Sequence, residues 1–256
     1  MGLKTLNYEY KMPYEDHKFF TKPADLHAKV WRYMDFTKFV LFLENRELWF
    51  SRVDKLNDPF EGTLSKMSLY TGGVVPKQSA EYDNFVKIVR DSQLMWRKWD
   101  VVNCWHLNEY ESAAMWSLYI KSDCGIAIQS TFDKLTRSFD GFSDKSVYVG
   151  LVHYRDYNID KIPSTFPFTA AMYKRMSFEH EKEVRVLIIN KEKGVELNKE
   201  PMFEGLSVPV DLDILIERVY VAPQVGDWAY KLVKNIVLKY DIDKPVCHSS
   251  LDDVPI

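Results

Sequence analysis

The order of strand-like and helix-like segments is the feature that most constrains the fold of this chain. Strands and helices follow one another closely from residue 28 to residue 139. From residue 182 onwards, three predicted strands (182–190, 204–212 and 216–223) succeed each other with no helix between them. A doubly wound parallel sheet needs helices between successive strands throughout. The order therefore predicts an α+β fold with a mixed or antiparallel sheet and flanking helices.

The chain has 256 residues, which is enough for one large domain or two small ones. Residues 1–27 are polar and aromatic and contain Pro13 and Pro23, so we expect an irregular N-terminal lead-in. No later stretch has the length or composition of a linker, and no internal repeat is present. The sequence therefore predicts a single domain over residues 28–256.

Composition and charge exclude several classes of protein. Hydrophobic residues make up 46% and charged residues 28% of the chain, which are ordinary globular values. The net charge of −3 gives no reason to expect a nucleic-acid or membrane-surface partner. Three cysteines without a C-x-x-C motif argue against a disulfide framework. The start of the chain lacks an apolar signal core, so we expect a cytoplasmic protein with no membrane partner.

Several common catalytic motifs are absent from the sequence. It contains no G-x-G-x-x-G, no P-loop, no H-E-x-x-H and no G-x-S-x-G. Ten glycines are too few to favour a glycine-rich phosphate loop, and the six histidines lack metal-ligand spacing. We therefore expect no metal site and look for chemistry that depends on carboxylates and arginines.

The segment "SFEHEKEVRVLII" (177–189) carries the strongest local signal. A helix is predicted over 168–181 and a strand over 182–190. The two-residue period of a strand places Glu181, Glu183 and Arg185 on one face. One interpretation is the solvated face of an edge strand, with Arg185 as counterion. The other is a carboxylate pair at a cleft, where like charge raises one pKa and prepares a base or electrostatic stabiliser.

Two further candidates lie on the first two predicted strands. Arg32 interrupts the apolar and aromatic strand "AKVWRYMDF" (28–36), either as a strand-edge cation or as a fork donor for a phosphate or ribose. Ser51 follows two aromatic residues near the end of the strand "ELWFSRV" (47–53). It is either a strand terminator or a polar group at a site.

The segments "LNDPFEG" (56–62) and "MWSLY" (115–119) supply the remaining candidates. Asn57 and Asp58 precede a proline and are typical of a turn. Trp116 and Tyr119 are three residues apart on a helix predicted over 108–122, so they share a face that is either core or ligand wall. His106 comes just before this helix, near its N-terminal dipole.

Taken together, these segments resemble a prokaryotic family known only as domain of unknown function 2971. The match runs from about Val30 to Ser249 and includes the NDPF turn, the M-W-x-x-Y helix and the E-x-E-x-R strand in the same order. The order also resembles, more distantly, the ADP-ribosyltransferases, which have an Arg or His on the first strand, then a helix, a strand ending in a Ser-containing motif and a late E-x-E. This second resemblance implies an ADP-ribosyltransferase-like fold with a split sheet.

The resemblance also implies a function, namely an NAD-dependent ADP-ribosyltransferase or NAD glycohydrolase. Such a glycosyltransferase cleaves the nicotinamide–ribose bond of NAD, its co-substrate, and passes ADP-ribose to a macromolecular acceptor. In this sequence the implied catalytic residues are Glu183, with Glu181 to orient or deprotonate the acceptor and Ser51 to brace the ribose. The implied NAD-binding residues are Arg32, Tyr33, Phe50, Asn57, Asp58, Trp116, Tyr119 and Arg185. By analogy, the resemblance also implies a role as a toxin or phage-defence effector, with a protein or nucleic acid as the acceptor and an antitoxin as a partner.

Two other functions remain open from the sequence. The chain is alternatively a non-catalytic module that binds a nucleotide or a protein. A further alternative is a hydrolase or nuclease that uses Glu181, Glu183 and Asp58 around a divalent metal ion. The position of Glu183 relative to Arg32 discriminates between these readings, because NAD cleavage requires the two side chains to share a cleft.

Overall fold

The computed structural model describes most of the chain and shows a mixed α and β protein. It describes residues 14–71, 80–120, 124–163, 167–190 and 200–255. The strands are β1 (Lys29–Asp35), β2 (Glu47–Arg52), β3 (Asp100–Leu107), β4 (Gly125–Thr131), β5 (Tyr148–Leu151), β6 (His153–Arg155), β7 (Tyr173–Arg175), β8 (Glu183–Ile189), β9 (Gly205–Pro209), β10 (Arg218–Val221) and β11 (Val246–His248). The α-helices are α1 (Phe36–Asn45), α2 (Lys66–Thr71), α3 (Ala80–Trp99), α4 (Ala113–Tyr119), α5 (Phe132–Arg137), α6 (Leu212–Leu215) and α7 (Asp227–Lys239). Short 3₁₀ helices cover Val53–Lys55, Pro167–Met172, Met176–Glu181 and Ser250–Asp252.

Within these residues, nine strands form one sheet that is mostly antiparallel. The order β11-β10-β4-β1-β3-β2-β9 describes most of it, and β8 and then β5 extend it from β3. Only β10 and β11 pair in parallel within this sheet, and β6 and β7 form a separate parallel pair. The prediction of a mixed or antiparallel sheet with flanking helices is confirmed.

The sheet is split where β1 and β2 meet β3. Both strands pair with the same edge of β3, β2 at Val101 and Val102 and β1 at His106 and Leu107. Residues 103–105 have no strand partner on that edge among the described residues, while β8 pairs with β3 along the opposite edge. The split leaves an opening in the middle of the sheet, and the polar groups that line it need other partners.

The main hydrophobic core covers one face of the sheet. Val184, Val186 and Ile188 of β8 point into it, and helices α1, α5, α6 and α7 close it from outside. The strand period then directs Glu183 and Arg185 to the opposite face. On that face the aromatic residues of β1 pack against α4, and the 3₁₀ helix at 167–172 packs against β3 and β8.

The helix predicted over 168–181 is wrong. The structure has two 3₁₀ helices there, separated by β7, which pairs with β6 at Tyr173, Lys174 and Arg175. Helix propensity is a weak preference, and the strand pairing overrides it. Lys182 then adopts a left-handed conformation with φ of 39° that turns the chain into β8.

Two other predicted segments differ in extent. The helix predicted over 108–122 begins only at Ala113, because the Ser112 side chain accepts a hydrogen bond from Met115 N and caps it there. The strand predicted over 146–156 is divided into β5 and β6. Of the predicted lead-in, residues 1–13 lie outside the described part, and 14–27 form neither helix nor strand apart from one bridge between Tyr14 and Val147.

Candidate functional site

A cleft of about 320 Å³ lies at the split in the sheet. Its floor is formed by residues 102–106 of β3, and β1 and β2 flank it. The start of β8 and the 3₁₀ helix Met176–Glu181 close it on the side opposite the two flanking strands. Because the strands diverge here, side chains from both faces of the sheet reach the same space.

Nine of the eleven residues predicted for the site line this cleft. They are Arg32, Tyr33, Ser51, Asn57, Asp58, Tyr119, Glu181, Glu183 and Arg185. Phe50 and Trp116 do not line it. Phe50 is completely buried in the main core on the other face, and Trp116 packs edge-on against Tyr33 and donates from Nε1 to Glu111.

Five ionisable side chains form a compact cluster on one side of the cleft. Arg185 donates from Nε to Glu183 Oε1 at 2.6 Å and from Nη2 to Glu183 Oε2 at 2.9 Å. The same Nη2 donates to Glu61 Oε2 at 2.5 Å. Lys174 Nζ lies 2.6 Å from Glu181, 3.2 Å from Glu61 and 3.4 Å from Glu183. Three carboxylates thus face two cations, which leaves one net negative charge.

Glu183 and Lys174 stay ionised because each has partners of opposite charge. Burial raises the pKa of Glu183, but the charges of Arg185 and Lys174 outweigh burial and lower this pKa below its ordinary value. Burial lowers the pKa of Lys174, whereas Glu183 and Glu61 raise it, and the carboxylates prevail. Glu183 is therefore a carboxylate at neutral pH, which is the form that electrostatic catalysis requires.

Glu181 and Glu183 both line the cleft, but they do not share one face of a strand as predicted. Glu181 ends a 3₁₀ helix and is not on a strand. Glu183 begins β8, which lies between β3 and β5. Glu183 is 4% exposed and Arg185 is completely buried, so the solvated edge-strand interpretation is wrong. Lys174, and not a shared strand face, brings Glu181 and Glu183 together.

Arg32 enters the cleft from β1, and most of the N–H donors of its guanidinium have no hydrogen-bond partner among the described residues. Nη1 donates to Asn103 Oδ1 at 3.2 Å and to the carbonyl oxygen of Cys104 at 2.7 Å. Within the described residues it has no hydrogen bond from Nε or Nη2 and no ion pair with a carboxylate. Burial lowers the pKa of Arg32, and the charge of Glu183 opposes this effect. The two side chains therefore interact electrostatically. A half-buried cation with no counterion among the described residues is suited to an anionic ligand.

Ser51 and two aromatic side chains provide the remaining walls. Ser51 is half-buried on β2, and its hydroxyl has no hydrogen-bond partner among the described residues. Trp49 is 50% exposed and lies over Gly205 of β9, where a Cβ atom would come within 2.2 Å of the indole ring. Tyr119 of α4 also lines the cleft and remains half-exposed. The indole and phenol faces are available for stacking.

The NDPF segment forms a turn that is locked to β7. Asp58 Oδ1 accepts a hydrogen bond from Phe60 N at 3.0 Å, as expected for a turn-forming aspartate. Arg175 holds the same carboxylate through two hydrogen bonds, Nε to Oδ2 at 3.1 Å and Nη2 to Oδ1 at 2.8 Å. Asp58 therefore positions the turn, while Asn57 beside it is exposed at the rim of the cleft.

Four important residues of the cleft had no assigned role in the sequence interpretation: Glu61, Lys174, Asn103 and His106. Glu61 and Lys174 belong to the charged cluster. Asn103 crosses the split, because its Nδ2 donates to the carbonyl oxygen of Trp49 on β2 while its Oδ1 accepts from Arg32 on β1. A polar residue within an otherwise apolar strand was the available signal for Asn103.

The described residues contain no group of three or more His, Cys, Asp or Glu side chains placed to hold a metal ion. The acidic residues proposed for a metal site, Glu181, Glu183 and Asp58, are each hydrogen-bonded to a lysine or an arginine. In the part of the chain that the structure covers, no helix is long and apolar enough to cross a membrane. Comparison with protein-family profiles, with curated proteins and with solved structures finds no match.

Proposed function

We propose that this protein is an NAD-dependent ADP-ribosyltransferase or NAD glycohydrolase whose active site is the cleft at the split of the sheet. The observation that carries the proposal is the convergence of Arg32, Ser51 and Glu183 on one cleft from three different strands. These residues lie far apart in sequence, and the resemblance to ADP-ribosyltransferases requires them to meet.

The charges of the cleft are opposite in sign to those of two groups of NAD, the anionic pyrophosphate and the cationic nicotinamide ring. Arginine has five N–H donors, and Arg32 uses two of them on Asn103 and Cys104. The remaining donors form a fork suited to the pyrophosphate oxygens. The charged cluster around Glu183 has one excess negative charge, which suits the cationic nicotinamide ring and its ribose.

The proposed reaction breaks the bond between the ribose C1′ and the nicotinamide nitrogen. The electron pair of this bond remains on nicotinamide, and the ribose acquires oxocarbenium character, as in glycoside cleavage. Glu183 accepts a hydrogen bond from a ribose hydroxyl and offsets the positive charge that develops. Arg185 and Lys174 hold the Glu183 carboxylate in place, and Trp49 or Tyr119 stacks on the nicotinamide ring.

The test is the release of nicotinamide from labelled NAD by the wild type and by Glu183→Gln. We expect release by the wild type and a loss of at least about 100-fold in kcat for the variant, the usual effect of removing one transition-state contact. Glu61→Gln is the matched control, because it removes a carboxylate from the same two cations. We expect it to lose less activity than Glu183→Gln. Absence of NAD binding by calorimetry would exclude the proposed function.

A second candidate function rests on the same charged cluster. The described contacts of Arg185 engage all three of its nitrogens, two with carboxylates and one with the carbonyl oxygen of Ala171. A cluster that is fully satisfied within the protein is suited to a rigid binding module without turnover. Tight NAD binding combined with no nicotinamide release would favour this alternative.

A further inference from the structure

One acceptor atom of the cleft has no partner in the part of the chain that the structure describes. His106 lies on β3, is 6% exposed and lines the cleft. Its Nε2 atom is buried and has no hydrogen-bond partner among the described residues. Buried polar side-chain atoms are normally satisfied, so Nε2 calls for a partner that the described residues do not supply, and the cleft that His106 lines is where a ligand would bring one.

The other ring nitrogen fixes the state of His106. Nδ1 lies 2.6 Å from the carbonyl oxygen of Glu181, and a carbonyl oxygen can only accept, so Nδ1 carries the hydrogen. In the neutral ring Nε2 then presents a lone pair. Burial lowers the pKa of His106 and keeps the ring neutral at neutral pH, although the hydrogen bond to Glu181 opposes this effect.

His106 is placed next to the charged cluster. His106 and Glu183 are directly opposite each other in the antiparallel pair of β3 and β8, so their side chains leave the same face of the sheet. Glu181, the residue that the resemblance assigns to deprotonation of the acceptor, has its carboxylate 2.6 Å from the ammonium group of Lys174. The Glu181 carboxylate already accepts a hydrogen bond from the ammonium group of Lys174, whereas Nε2 of His106 has no hydrogen-bond partner among the described residues.

We propose that His106, rather than Glu181, accepts the proton of the nucleophile that attacks the ribose. The inference rests on the proposed function and names its base. The oxygen of a hydroxyl nucleophile, either water or a group on the acceptor, bonds to C1′ as the C1′–nicotinamide bond breaks. The electron pair leaves with nicotinamide, which becomes neutral, and the hydroxyl proton moves to Nε2. The imidazolium that forms keeps its Nδ1 hydrogen bond to the Glu181 carbonyl oxygen and later returns the proton to solvent.

The pH dependence of the wild type is the first test, because it needs no variant. Protonated His106 cannot act as a base, so kcat/KM should fall as the pH decreases through the lowered pKa of His106, which lies below the ordinary histidine value of about 6.5. The charged or titratable neighbours of the ring are Tyr33 on β1, His180 and Lys182 at the end of the 3₁₀ helix, and Glu183 on β8. Both His180 and Lys182 lower the pKa of His106. A kcat/KM that is constant from pH 7 down to about pH 4, where ordinary carboxylates titrate, would overturn the inference.

Variants provide the second test. His106→Gln leaves an amide oxygen near the position of Nε2, and His106→Asn keeps a donor for the Glu181 carbonyl oxygen. Neither variant can accept a proton at this position. Both should therefore lose about 100-fold or more in kcat, with a KM within about threefold of the wild type. Both should also lose the acidic limb of the pH profile. Glu181→Gln is the comparison, and we expect it to retain that limb. The product identifies the nucleophile: free ADP-ribose indicates water, and a modified lysate component indicates a macromolecular hydroxyl.

The outcomes separate this inference from the proposed function. Wild-type activity with unchanged kcat in His106→Gln would remove the inference and leave the function in place. Loss of the acidic limb in Glu181→Gln, with retention in His106→Gln, would make Glu181 the base. A wild type that releases no nicotinamide would remove both proposals. Restoration of activity by added imidazole in His106→Ala would support the base role, since a structural role would not respond.

Discussion

Arg185 should be the most sensitive position of the molecule to substitution. Its guanidinium is completely buried and bonds two carboxylates, Glu183 and Glu61, and the carbonyl oxygen of Ala171. Arg185→Met has a similar length and removes the charge. It leaves both carboxylates in the protein interior with Lys174 as their remaining cation. Breaking a buried ion pair in this way costs about 3–5 kcal/mol, a large part of the 5–15 kcal/mol that is typical of folded domains.

The pH dependence of this cost has a definite sign. In the wild type the pKa of Glu183 is lower than its ordinary value of 4.5. The native interactions of the Glu183 carboxylate therefore contribute stability that is fully present above about pH 4.5 and is lost as the pH falls through the native pKa. Without Arg185, burial raises this pKa instead. The difference in unfolding free energy between the wild type and Arg185→Met should therefore shrink as the pH is lowered from 7 towards 3.

Urea unfolding followed by tryptophan fluorescence measures the effect. With an m-value of about 3 kcal/mol/M, the expected loss moves the midpoint to lower urea by about 1–1.7 M at pH 7. Arg185→Met combined with Glu183→Gln should recover part of the loss, because the double variant no longer buries the Glu183 charge. A midpoint within about 0.3 M of the wild type, or a difference that is the same at pH 7 and pH 4, would refute the reasoning.

Two further predictions concern the split in the sheet. Asn103→Ala leaves Arg32 Nη1 and the carbonyl oxygen of Trp49 without the Asn103 side chain. It should therefore cost about 1–3 kcal/mol in unfolding free energy, measured by urea unfolding. Asn103→Asp cannot replace the lost donor. Gly205→Ala places a Cβ atom 2.2 Å from the Trp49 ring and 2.5 Å from the Phe50 carbonyl oxygen. The substitution should displace the indole, lower the unfolding free energy by about 1–3 kcal/mol and change the tryptophan emission. An unchanged spectrum with unchanged stability would contradict the placement of Trp49.

The strands were predictable because their local signals agree with their tertiary environment. The segment "KEVRVLIIN" (182–190) combines β-branched residues with a two-residue period, and β8 covers Glu183–Ile189 of it. The strand predicted over 28–36 is likewise β1, Lys29–Asp35. Val184, Val186 and Ile188 of β8 and Val30 and Met34 of β1 lie in the main core, while Trp31 and Tyr33 pack on the opposite face.

The cluster around Glu183 was only partly predictable, because tertiary structure brings in two of its members, Lys174 and Glu61. Lys174 lies where the sequence favours a helix, and only the pairing of β7 with β6 directs it towards the carboxylates. Arg185 takes its second carboxylate from Glu61, 124 positions away. The carbonyl oxygen of Ala171, which also accepts from Arg185, would have been used within a regular helix. Local periodicity contains no information on such partners.

The two charged regions of the cleft differ in how their charges are compensated, and this difference restricts the ligand. Among the described residues, Arg32 is bound only by neutral oxygens, the amide of Asn103 and the carbonyl of Cys104, so its positive charge remains for a ligand. The cluster of Glu61, Lys174, Glu181, Glu183 and Arg185 has more carboxylates than cations and presents the opposite sign. A ligand with only anionic groups would be repelled by the cluster, and a simple cation would be repelled by Arg32. A dinucleotide that joins a pyrophosphate to a cationic ring satisfies both regions at once. The same reasoning predicts that NADH, whose nicotinamide ring is neutral, binds more weakly than NAD.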